Sequence, residues 1–145
     1  MAREVFHEVR IKAQPAAIYD AIVAPDKLEQ WWIHATSGET RAGKTLNFGP
    51  GKGFQEVLVT EERQNELVRW RPTEAGISDW FGTEIEFKII PERERTLVHF
   101  KHSNYADDAP MFAHTSLSWA VFLLSLRDLV ETGKGMPYPN HFIRD

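Results

Sequence analysis

Apolar and polar side chains alternate along the first twelve residues. Val5, His7, Val9 and Ile11 share one parity, and Phe6, Glu8, Arg10 and Lys12 share the other. A period of two residues is typical of a strand that is buried on one face. The pattern therefore predicts a first strand whose Val5 parity faces a core.

Two prolines divide the helical stretch that follows. Pro15 precedes a run of helix-forming residues, and Pro25 interrupts that run after Ala24. Proline is tolerated in the first turn of a helix, but it disfavours helical backbone at the residue before it. The sequence thus predicts two short consecutive helices, the second ending at Trp31 and Trp32.

Residues 38–100 show no helical period and are divided by turn residues. We predict strands over 45–48, 54–61, 67–71, 81–90 and 96–102, with a glycine-rich turn at 49–53 and a hairpin around 91–94. Together with the first strand, these segments predict an antiparallel sheet of about six strands.

The closing segment predicts one long helix. Asp107 or Asp108 is placed to cap it, Pro110 suits its first turn, and Gly133 supplies its stop. Roughly 22 residues at about 1.5 Å each span about 33 Å, the width of a small domain. The order of elements predicts an α+β fold in which this helix lies across the sheet.

Composition narrows the class of protein. The chain has 145 residues, a formal net charge of -4 and no cysteine. We expect a single domain over 1–145 without disulfide bonds or thiol chemistry. The acidic balance argues against nucleic acid as a partner, and no segment is apolar enough for a membrane span. A cytoplasmic protein is expected.

Several segments spread over nearly the whole chain resemble one family. They are residues 15–21, Trp31, Trp32, residues 67–70, residues 118–120, Leu123, Leu126 and residues 131–135. Their order and spacing resemble the START-like, helix-grip superfamily, and within it the family related to the activator of the Hsp90 ATPase. One position departs from the family: Ser118 stands where a glycine is common before the helix tryptophan.

The resemblance implies a helix-grip fold, in which a curved antiparallel sheet wraps on the C-terminal helix and two short helices close one end. It also implies a pocket for an apolar or aromatic ligand between the sheet and that helix. Fold alone does not define an activity, because the superfamily includes lipid carriers, hormone receptors, aromatic cyclases and chaperone co-factors. No cofactor is expected.

Candidate ligand-binding residues follow from the inward parities of the strands and from the long helix. They are His7, Trp80, Ile85, Phe87, Val98, Phe100, His102, Trp119 and Leu123. An apolar wall with few polar groups is typical of a ligand pocket. A lone histidine on such a wall more often donates a hydrogen bond to a carbonyl than performs chemistry.

Other motifs fail on geometry. His99 and His102 would lie on opposite faces of a strand, so they cannot hold one metal ion together. The turn at 49–53 lacks the strand-loop-helix context of a phosphate site, and no serine has the setting of a nucleophile. We predict no metal site and no catalytic residue.

Three functions stay open at this point. The leading hypothesis is a non-catalytic carrier or sensor that binds a small hydrophobic or aromatic molecule. The second is a cyclase, dehydratase or hydrolase in which His7 or His102 acts as general base. The third is an interaction domain related to Hsp90 co-chaperones. Either a monomer or a homodimer is compatible with the sequence.

Overall fold

A curved antiparallel sheet and one long helix make up most of the structure. The computed structural model describes residues 2–49, 53–141 and 143. The strands are β1 (Arg3–Ile11), β2 (Ser37–Gly38), β3 (Thr45–Phe48), β4 (Gln55–Arg63), β5 (Leu67–Pro72), β6 (Glu84–Pro91) and β7 (Thr96–Tyr105). The helices are α1 (Pro15–Val23), α2 (Pro25–Trp31) and α3 (Phe112–Thr132), and a short 3-10 turn covers Ser78–Trp80.

Strand order places the first and the last strand side by side. The order across the sheet is β1-β7-β6-β5-β4-β3-β2, and the pairings between strands are antiparallel. The α+β helix-grip prediction is confirmed, with seven strands in the described chain instead of about six. The added strand is β2, whose two residues are too short to show a period.

The predicted helix boundaries are confirmed where proline or glycine determines them. Helices α1 and α2 begin at Pro15 and Pro25. Helix α3 ends before Gly133, whose φ of 89° is left-handed and whose N–H donates to the Leu129 carbonyl at 2.8 Å. This is the conformation that glycine adopts most easily after a helix.

The predicted N-terminal cap of α3 is wrong. The residue that precedes the helix is Met111, not Asp107 or Asp108. Its backbone N–H donates to Asp79 Oδ2 at 2.8 Å. A carboxylate from another segment, beside the 3-10 turn, therefore satisfies a free donor at this helix end.

Aromatic rings fill the space between the middle of the sheet and the helices. The Trp32 ring centroid lies 4.3 Å from that of Phe48, 5.7 Å from that of Trp70 and 4.8 Å from that of Trp119. The Trp119 centroid lies 4.4 Å from that of Phe100. Side chains of this size dominate the burial of a small domain, so helix and sheet are in direct contact here.

Two further predictions concern the glycine-rich turn and membrane spans. Residues 50–52 of the predicted glycine-rich turn lie outside the described residues. Among the residues that are described, no helix is both long and apolar enough to cross a membrane.

We predict that Gly133→Ala lowers the free energy of unfolding by about 1 kcal/mol, because alanine resists the left-handed conformation. An added Cβ would meet no atom within 4 Å, so backbone strain is the sole expected cause. Urea denaturation measures the loss. Gly133→Asn is the matched control and should lose less, since asparagine tolerates this conformation. Equal stability of the alanine variant and the native chain would contradict the assignment.

Candidate ligand-binding site

A cavity of about 630 Å³ opens beside the first half of α3. Met111, Thr115, Ser118 and Phe122 form its helical wall. Their spacing of three and four residues places them on one side of α3. The cavity therefore lies along one flank of the helix, beside the aromatic contact between helix and sheet.

Loops supply the other walls. Trp32 and Ile33 follow α2, Gly53 and Phe54 precede β4, Gly76 and Ile77 follow β5, and Tyr138 and His141 belong to the C-terminal segment; Gln55, Trp80, His114 and Trp119 complete the lining. These residues are far apart in sequence and meet only in the folded chain. Most of the lining is apolar, as is usual for a pocket that binds a small organic molecule.

The C-terminal segment closes one side of the cavity through backbone hydrogen bonds. The Tyr138 N–H donates to the Trp32 carbonyl at 2.8 Å, and the His34 N–H donates to the Tyr138 carbonyl at 3.1 Å. Beyond this bridge, the His141 ring stacks on Phe122 with centroids 5.3 Å apart. The segment after α3 is thus attached to the end of α2.

Gln55 anchors the loop after β5. Its side chain is buried, and Oε1 accepts from the Ile77 N–H at 2.8 Å while Nε2 donates to the carbonyls of Glu56 and Thr73. Gly76 passes so close that a Cβ there would overlap the Gln55 amide. Glycine is required at this position because the Gln55 side chain occupies the space that a Cβ would need.

Trp80 and Trp119 together form the aromatic end of the cavity. Their rings stack with an interplanar angle of 20° and centroids 6.1 Å apart. Trp80 is 6% exposed, so it belongs to the wall more than to the surface. Trp80 is one of the candidate residues predicted from the sequence, and it lines the cavity.

A buried hydrogen-bond chain connects the Trp119 ring to the Trp80 backbone. The Trp119 Nε1–H donates to His102 Nδ1 at 3.0 Å. The Thr83 hydroxyl donates to the Trp80 carbonyl at 2.6 Å, so it can only accept from His102 Nε2, which lies 2.8 Å away. Because an indole N–H is solely a donor, the imidazole is the neutral tautomer with its proton on Nε2.

Burial lowers the pKa of His102 to about 3. The side chain is fully buried and its two nitrogens already have partners, so it neither faces the cavity nor has a free site for a proton. His7 is engaged elsewhere, since its Nε2–H donates to the Ser116 carbonyl on α3 at 3.1 Å. The two histidines proposed as general bases therefore serve as structural donors and acceptors.

Of the nine candidate residues, only Trp80 and Trp119 line the cavity. Five lie in the sheet-helix core, namely Ile85, Phe87, Val98, Phe100 and Leu123. His7 and His102 form the hydrogen bonds just described. Aromatic rings occupy the middle of the space that was expected to be hollow, and whether any of the nine contacts a ligand stays a prediction.

The cavity residues missed by sequence reasoning lie mainly on loops. Strand parity cannot place Ile77 or Tyr138, because their backbone has no regular period. Phe54 was predicted as the first residue of a strand, but β4 begins at Gln55 and Phe54 belongs to the preceding loop. The sequence did contain one signal for the site: Met111, just before α3, and Ser118 recur at helical spacing and so share one flank of the helix. The broad apolar pattern of the helix concealed this flank. Among the described residues, no group of three histidine, aspartate or glutamate side chains is arranged to hold a metal ion.

A helix-grip fold with a cavity beside its long helix defines the START-like class of domains. Residues 12–131 match the family model described as Activator of Hsp90 ATPase homolog 1-like protein, and the chain belongs to this family. No curated protein has a significant sequence match.

Solved structures agree with this assignment. The solution structure of the Aha1 dimer from Colwellia psychrerythraea is 38% identical, covers 92% of this chain and 99% of its own, and has a TM-score of 0.84. CalU16 from Micromonospora echinospora (17% identity, 90% and 75% coverage, TM-score 0.73) shares the fold. DynU16, a putative protein in the dynemicin biosynthetic locus, does so too (20% identity, 91% and 48% coverage, TM-score 0.79).

We predict that His102 stays neutral in the folded protein down to about pH 4, whereas in urea it titrates near 6.5. The histidine proton shifts in NMR measure both values. The unfolded chain takes up this proton as the pH falls below 6.5, and the folded chain does not until about pH 3. Stability conferred by neutral His102 is thus complete above pH 6.5 and declines towards pH 3, by roughly 5 kcal/mol in total. Titration of folded His102 near pH 6.5 would contradict the buried network.

Proposed function

We propose that this protein binds a small hydrophobic or aromatic molecule in the cavity beside α3, as a non-catalytic carrier or sensor. The observation that carries the proposal is the cavity itself, with its volume of about 630 Å³ and its mostly apolar lining. Pockets for small organic ligands usually measure about 300–1,000 Å³ and combine such a lining with few polar groups. The fold of the family is consistent with ligand binding.

The walls favour a flat, aromatic ligand. Trp32, Trp80 and Trp119 provide large ring surfaces, on which planar molecules stack or pack edge to face. Phe54 and Met111 line the cavity and are exposed to solvent. Methionine adapts to ligands of different outline because its side chain is unbranched and flexible. The cavity would therefore accept a class of aromatic molecules.

The engaged histidines support binding without turnover. A general base needs a free nitrogen within reach of the substrate proton and a pKa near the working pH. His102 meets neither condition, and His7 donates to a backbone carbonyl. This weakens the cyclase, dehydratase or hydrolase alternative as it was formulated on these two residues.

We also infer that the chain assembles as a homodimer. The support is the relative from Colwellia psychrerythraea, whose solution structure is that of a dimer and whose sequence is 38% identical over nearly its whole length. Similarity of this extent makes a shared mode of assembly a reasonable expectation.

An Hsp90-related interaction is the second candidate function, favoured by the family to which the chain belongs. It would use the outer surface and would not need the cavity. Immobilised protein should then retain purified Hsp90, and a variant with a filled cavity should retain it equally well. Absence of Hsp90 binding would remove this candidate.

We predict that Ser118→Phe weakens ligand binding at least about tenfold, because the added ring would occupy the space between α3 and the loops. Native mass spectrometry against a panel of lipids and polycyclic aromatic compounds identifies a binder, and titration calorimetry then gives its affinity for both chains.

Ser103→Phe is the matched control, since Ser103 is also half-buried but lies on β7, away from the cavity lining. This variant should bind like the native chain. The proposed function would be overturned if no member of the panel bound, or if both variants bound a ligand as tightly as the native chain.

A further inference from the structure

An uncharged apolar stripe runs along the outward face of α3. Ala113, Leu117, Val121 and Leu124, which we call the outward stripe, recur at spacings of three and four residues and so share one side of the helix. Leu117 is 56% exposed and Leu124 is 45% exposed. Residues 112–126 contain no Asp, Glu, Lys or Arg. About three turns of helix thus present an apolar surface to solvent.

Within the described part of the chain, the flanks of the outward stripe have assigned neighbours, but its centre does not. One flank faces β1, where His7 bonds to the Ser116 carbonyl. The other borders the cavity through His114 and Ser118. A helix face that meets only water normally carries charged residues, and contiguous exposed apolar side chains mark interaction surfaces. The stripe has the character of a face that a partner covers.

We propose that the part of the outward stripe from Leu117 to Leu124 binds the same residues of a second copy of this chain, with the two α3 helices antiparallel about a twofold axis between Ala120 and Val121. The proposal rests on the homodimer inferred above and assigns its surface. In a twofold interface the same patch meets itself. This axis places Leu117 of one copy opposite Leu124 of the other, so that the two exposed leucines cover each other.

Charges at the ends of α3 fit this arrangement. The acidic residues 107–108 lie just before the helix, and Lys134 lies just after it; all three are exposed. Antiparallel packing brings the segment before α3 of one copy towards the segment after α3 of the other, so residues 107–108 approach Lys134 at both ends. Antiparallel packing also places the positive end of each helix dipole near the negative end of its neighbour. A parallel arrangement would bring like charges together.

The absence of cysteine permits a direct test of the axis. Val121→Cys would place two thiols close to the proposed twofold, and mild oxidation should link the copies into a covalent dimer. Leu58→Cys, on β4, is the matched control and should stay unlinked at the same concentration. Equal linkage of both variants would overturn the proposed axis.

The surface is tested by analytical ultracentrifugation over roughly 1–500 μM, a range suited to interfaces smaller than the usual size of about 800 Å² per partner. The double variant Leu117→Glu, Leu124→Glu should raise the dimer dissociation constant at least about 100-fold. Phe6→Glu is the control, because Phe6 is 51% exposed on β1 and lies outside the stripe; its dimer should persist.

The outcomes separate the two proposals. A native chain that stays monomeric throughout the range would overturn both the homodimer and its surface. A native dimer that survives the double substitution would overturn the surface alone and leave the homodimer standing. Far-ultraviolet circular dichroism shows whether the double variant is folded, and the Val121→Cys linkage tests the axis without introducing a charge.

Discussion

Trp119 is the residue on which the arrangement of helix and sheet depends. Its ring packs against Trp32 and Phe100, and its N–H donates to a histidine buried beneath it. The ring buries a large apolar surface while its single N–H has a hydrogen-bond acceptor, which is why tryptophan suits this position. The contact holds α3 on the sheet at one level along the helix. The distance between helix and sheet is therefore set at Trp119, and the rest of α3 is positioned relative to that contact.

The position of the cavity follows from this contact. Where Trp119 meets the sheet, no space remains for a guest molecule. Towards the start of α3 the helix is held by Asp79 at Met111, and the loops before β4 and after β5 stand beside it. The cavity therefore lies on the flank of the helix, and the Trp80–Trp119 pair forms its inner end. The same pair connects the cavity to the His102 network.

The sequence predicts much of the fold because its signals are local. Alternation over 5–11 predicts β1, and Pro15, Pro25 and Gly133 mark helix ends through the backbone angles they impose or permit. The cap at Met111 could not be predicted, because its acceptor is on another segment. At the site, strand parity correctly predicted that the His102 side chain points into the protein, but it could not predict its hydrogen-bond partners. The cavity walls come from loops such as residues 53–55 and 76–77, whose positions depend on tertiary contacts such as the Gln55 amide.

The most direct test of the central claim is to locate a bound aromatic molecule by NMR. Intermolecular nuclear Overhauser effects should connect its ring protons to the side chains of Trp80, Met111 and Phe122, on the flank of α3. Effects to Ile85 and Val98 instead would place the ligand between the sheet and the helix. That result would contradict an account in which aromatic packing closes that space and leaves the flank open.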